Sequence, residues 1–78
     1  MSAVIPSVTA GVRFVEDTLA FFGTHGRSEW QRLEAVRDAA YRRLHAARDA
    51  QNSSDAFVYS AAIRECDARI FAIWQDAS

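Results

Sequence analysis

Seventy-eight residues carrying nine basic and ten acidic side chains, a net charge of −1, argue against a dedicated nucleic-acid binder. Half of the residues are hydrophobic and the mean hydropathy is −0.14, which excludes a disordered chain. Cys66 is the only cysteine, so no internal disulfide forms, and with His25 and His45 well separated it lacks the clustered pairs of a structural zinc site.

A chain this short buries only about 60% of the surface its unfolded form exposes, so its core is marginal alone. Small domains compensate with disulfides, a metal or oligomerisation, and here oligomerisation or a partner remains. Met1 to Pro6 lacks the basic start of a secretory signal, and Glu16 and Asp17 interrupt the only long apolar stretch. No run approaches the roughly 20 apolar residues of a membrane span, so a cytoplasmic location with no membrane contact is expected. All the basic residues are arginines, which fits a high-GC genome and leaves open a choice of arginine for interface packing.

Helix one is expected over about Ser7 to Phe22. Val8, Val12, Val15, Leu19 and Phe22 recur in steps of four and three and mark its buried stripe. Gly11 and the β-branched Val8, Thr9, Val12 and Val15 are poor helix formers, so this helix needs tertiary packing to exist. Gly23 is placed to end it in the left-handed conformation. After Gly26 the chain has neither glycine nor proline, which argues against strand-to-strand turns and for helix throughout.

Helix two is expected over about Glu29 to Gln51. Ser28 and Gln31 make a capping box at its start. Trp30, Leu33, Val36, Ala40, Leu44 and Ala47 hold one face. Glu34, Asp38, Arg42, His45 and Asp49 hold the other, with Asp38 and Arg42 spaced for an ion pair. Gln51 to Ser54 offers the one break, and Ser53 or Ser54 is expected to cap helix three. A link this short makes helices two and three an antiparallel hairpin. A single unbroken helix from Ser28 to Ala77 is the alternative.

Helix three, expected over about Ser54 to Ala77, is too apolar for one buried face. One line runs Tyr59, Ile63, Cys66, Ile70, Trp74 and Ala77 and is assigned to the internal core. A second, Phe57, Ala61, Arg64, Ala68 and Phe71, lies well round the helix and is assigned to a partner, with cover by helix one as the competing reading. The fold class that follows is all-α, an antiparallel hairpin with a shorter N-terminal helix packed on it, in an assembly of more than one chain.

Arg37 projects into the apolar arc of helix two, between Leu33, Tyr41 and Leu44, where a charge must be paired, snorkelling to water, or on a surface that meets something else. In the hairpin it comes level with Asp67, and an ion pair between them would fix the register. If that pair is buried, removing one member costs about 3–5 kcal/mol. Trp30 and Trp74 fall at the open end of the hairpin, within reach of Phe14, Phe21 and Phe22, as a core plug or a partly exposed anchor.

Chemistry finds no foothold in the pattern. Cys66 lies on the core line and reads as an inert buried thiol, and His45 and His25 read as solvated surface residues. Ser28, Glu29 and His25 are neighbours without the elbow or oxyanion context of a triad. No enzyme activity, cofactor or metal is expected. Arg32, Arg42, Arg43 and Arg48 give helix two a basic band, but Glu34, Asp38 and Asp49 interleave it and no aromatic platform lies among them.

The stretch Arg32-Leu33-Glu34-Ala35 to Arg43-Leu44, followed by Ser53, Asp55 and Phe57, resembles the small hairpin co-chaperones that mask needle subunits in type III secretion. The resemblance spans residues 32 to 74 at most. Helix one has no counterpart in it, and the turn lacks the glycine or proline of that family. No functional residue carries over, and small helical inhibitors made by phages would look alike. The function expected is protein–protein interaction, as an inhibitor, adaptor or co-chaperone, with a homodimer as the first partner. A nucleic-acid-binding hairpin is the alternative.

Overall fold

The computed structural model describes residues 5–23 and 28–77, and among them it contains α-helices and no strand. The three helices, α1 (Ile5–Phe22), α2 (Glu29–Asp49) and α3 (Ser53–Ala77), pack against one another. The 25 residues of α3, at about 1.5 Å rise each, set the 38 Å long dimension of the molecule. Arg27, His25 and Gly26 of the first link, and the side chains of Pro6 and Ala77, lie outside the described residues.

Helix α1 begins at Ile5, earlier than the expected Ser7. Pro6 falls in its first turn, where a missing N–H costs no intrahelical bond. At the other end Gly23 takes φ 68°, and its N–H donates to the Ala20 carbonyl. The Ser28 hydroxyl accepts from the Gln31 N–H while the Gln31 side chain accepts from the Ser28 N–H, closing the capping box of α2.

The chain breaks between α2 and α3, so the unbroken-helix alternative is set aside. Gln51 adopts φ 56°, its N–H donates to the Arg48 carbonyl, and the Asn52 N–H donates to the Ala47 carbonyl. These are the two bonds of a Schellman ending, made here by glutamine where glycine is usual. The cap of α3 is Asn52, not Ser53 or Ser54. Asn52 Oδ1 accepts from the Asp55 N–H, and Asn52 Nδ2 donates to the Asp55 carboxylate. Asparagine does both jobs because its amide carries an acceptor and a donor.

The core takes Val15 and Leu19 from α1, Leu33, Val36, Ala40 and Leu44 from α2, and Ala62, Ile63, Cys66 and Ile70 from α3. All three stripes fall short of their expected burial: Val8 is half exposed at the start of α1, and Trp30 and Trp74 remain partly exposed.

At Gly11, α1 approaches α3 closely. A Cβ placed there would lie 2.7 Å from Ala61 Cβ, 2.8 Å from the Val58 carbonyl oxygen and 2.9 Å from the Ala62 nitrogen. Two of those atoms are backbone and the third is a Cβ, so none can rotate aside. Helix propensity alone makes Gly11→Ala stabilising by about 1 kcal/mol. Overpacking costs typically about 1–3 kcal/mol, and with immovable neighbours we expect it to win. A urea melt should show Gly11→Ala less stable than the parent chain; a gain would mean that α1 does not sit this close.

Candidate functional site

Three sides of α3 are distinguishable, and two are occupied. Ile63, Cys66 and Ile70 are buried in the common core with α2. On the side toward α1, Ala61 and Ala62 lie under Gly11. Further along that side, Arg69 donates through Nε to Glu65 at 2.6 Å and through Nη2 to Glu16 of α1 at 3.3 Å. The hydrogen bond to Glu65, above all, holds the Arg69 guanidinium above its ordinary range.

The third side is open. At 100° per residue Phe57, Arg64, Ala68 and Phe71 fall within about 60° of arc, and all four are exposed, the rings at 66% and 62%. Ala61, assigned to the same surface from the sequence, is partly buried. Helix α1 crosses α3 at Ala61 and Ala62, so Ala61 serves the internal packing and drops out of the open surface.

Arg37 and Asp67 meet. Arg37 Nη1 donates to Asp67 Oδ1 at 2.6 Å, which holds the Arg37 guanidinium above its ordinary range. The side chains are 33% and 53% exposed, so the cost assigned to a buried pair does not apply. The contact lies at the edge of the α2–α3 packing, where water screens it, and its contribution is at most about 1 kcal/mol.

The aromatic side chains divide into separate groups. Trp30 and Trp74 pack edge-on with centroids 5.1 Å apart. Phe14 does not join them. It stands edge-on to Tyr59 at 5.3 Å, with the Arg43 guanidinium 5.9 Å over its ring, so all three helices meet there. Phe21 touches Phe22 at 6.0 Å and is 84% exposed. The sequence carried no signal for the Phe14–Arg43 contact or the Glu16–Arg69 bridge, because each joins α1 to another helix and no short link or charge pairing fixes the register of α1. The Glu65–Arg69 spacing is an ordinary i,i+4 signal that the periodicity reading passed over.

Of the groups weighed for chemistry, the Ser28 hydroxyl is engaged in its cap and His45 is exposed on the polar face of α2. His25 lies outside the described residues. Cys66 is fully buried, and that burial pushes its thiol up to about 11. Among the described residues no three His, Cys, Asp or Glu side chains gather to hold a metal ion. No helix among them is long and apolar enough to cross a membrane.

Comparison with models of known protein families, with curated proteins and with solved structures finds no match to this chain. The resemblance of residues 32 to 74 to hairpin co-chaperones therefore rests on the residues quoted for it alone.

A double-mutant cycle on Arg37→Met and Asp67→Leu should give a coupling energy of at most about 1 kcal/mol in denaturant melts. A coupling of about 3 kcal/mol or more would place the pair in a dry core.

Stability should also fall as pH rises from 9.0 to about 11. In that window the unfolded thiol of Cys66 ionises while the folded one stays neutral. The loss should be on the order of 2 kcal/mol, and it should be absent from Cys66→Ala once its lower baseline is allowed for. Equal slopes for the two chains between these pH values would contradict the burial of this thiol.

Proposed function

We propose that this chain is a non-enzymatic protein–protein interaction protein, of inhibitor, adaptor or co-chaperone type, acting through the open apolar side of α3. Helices α2 and α3 form its antiparallel hairpin and α1 packs on it. The arrangement is supported by the contact of Trp30 with Trp74, which pairs the beginning of α2 with the end of α3, and by that of Arg37 with Asp67, which pairs their middles.

One observation carries the functional reading. Phe57 and Phe71 stand 66% and 62% exposed on a helix whose other two sides are already used. Scattered apolar residues on a surface are ordinary, but a line of them at helical spacing is what a docking helix presents. Arginine flanked by aromatic rings is also the composition that dominates contact energies, and Arg64 stands midway between the two phenylalanines.

The nucleic-acid alternative draws less support. Arg42 lies 3.5 Å from the Asp38 carboxylate and Arg43 lies over the Phe14 ring, so both have protein neighbours. Phosphate binding would use arginines free of such neighbours and would weaken steeply with salt.

A photo-crosslinking phenylalanine placed at position 57 or 71 tests the reading inside cells that express the chain. It should give protein adducts of defined mass, whereas the same probe at His45 or Asp49 on the polar face should give none. Equal, diffuse labelling from all four positions would remove the surface from consideration.

A further inference from the structure

Between Phe57 and Gln75 the only exposed charged side chains are Arg64 and Asp67, opposite in sign and one helical turn apart. Glu65 and Arg69, the other charges in this stretch, are half-buried and paired with each other. Asp67 meets Arg37 through Oδ1 alone and remains 53% exposed. An ionised carboxylate offers about four lone-pair sites, so it accepts a second guanidinium without losing the first.

We infer that a second copy of this chain covers the open side of α3, with the two α3 helices antiparallel and Arg64 of each copy opposite Asp67 of the other. This names the occupant of the surface proposed above and rests on that reading.

The register follows from the charges. About seven residues, two helical turns, outward from each Arg64–Asp67 pair brings Phe57 opposite Trp74 of the second copy. Those two rings are 66% and 55% exposed, and the two-fold axis repeats their contact at both ends. Ser60 comes opposite Phe71, where a small side chain leaves room for the ring. The register centred on Arg64 itself would set Arg64 against Arg64, and like charges exclude it. The surface is thus self-complementary in sign only when the copies are antiparallel and offset.

The area sets the strength expected. Fully buried aromatic side chains remove about 150–250 Å² each from water, so Phe57, Phe71 and Trp74 at their exposures contribute roughly 350 Å². A standard interface takes about 800 Å² per protomer, so this contact is small and self-association should be weak and concentration-dependent.

Sedimentation equilibrium on Arg64→Glu, on Asp67→Lys and on their equimolar mixture tests the inference. In a self-pair of either variant like charges face each other twice, and self-association should weaken about tenfold or more. In the mixed pair the new carboxylate at position 64 faces the new ammonium at position 67, and Arg64 faces Asp67. The mixture should therefore recover association to within about threefold of the parent chain. Circular dichroism confirms that each variant is folded; if Asp67→Lys melts early, Asp67→Asn replaces it and should give partial recovery with Arg64→Glu. A parent chain that stays monomeric to about millimolar concentration, or a mixture no tighter than its components, would overturn the inference. The two readings fail separately. A crosslinked adduct from position 71 with a mass other than twice the chain would overturn self-pairing and leave the contact surface standing, whereas no adduct at all would overturn both.

Discussion

The fold depends on a contact made by the absence of a side chain. Gly11 lets α1 approach the backbone of α3 at Val58 and Ala62 and touch Ala61 Cβ. That approach carries Val15 and Leu19 into the core shared with α2 and α3, and brings Glu16 within 3.3 Å of Arg69. Glycine is a poor helix former, and α1 is rich in β-branched residues besides. Its stability as a helix therefore comes from the docking that Gly11 permits.

Once α1 is seated, the sides of α3 are decided. One side meets α2 and another meets α1. Any helix of a three-helix unit keeps a side facing water, and on α2 that side carries Glu34, Asp38, Arg42, His45 and Asp49, as solvation requires. On α3 it carries Phe57 and Phe71 with Arg64 between them. The two helices obey the same geometry with different chemistry, and the functional proposal stands on that difference.

The helices themselves were legible because their signals are local. The Ser28–Gln31 box, the spacing of Leu33, Val36, Ala40, Leu44 and Ala47, and Gly23 at the end of α1 each act within one or two turns of chain. The break after α2 was placed to within a residue or two, but its cap was misassigned. Asn52 competes with Ser53 and Ser54 for the same role, and only the reciprocal bond to Asp55 distinguishes it. Phe57, Arg64, Ala68 and Phe71 are exposed, and Ala61 is not. An alanine at helical spacing between phenylalanines looks the same whether it faces a partner or a glycine on another helix. For a related reason the sequence leaves open whether the Arg37–Asp67 pair is buried. Helical angle places Arg37 inside an apolar arc, but the long side chain reaches the edge of the packing, where its head stays wet.

Helix α1 covers Ala61 and leaves Phe57, Arg64, Ala68 and Phe71 open. Thiol footprinting of Phe57→Cys, Ala61→Cys, Arg64→Cys, Ala68→Cys and Phe71→Cys in a Cys66→Ser background tests it directly, on protein dilute enough to be monomeric. Fast alkylation is expected at positions 57, 64, 68 and 71, with marked protection at 61 alone. Protection at 57 and 71 in the monomer, or reaction at 61 as fast as at 64, would show that α1 lies elsewhere on α3 and would contradict the account.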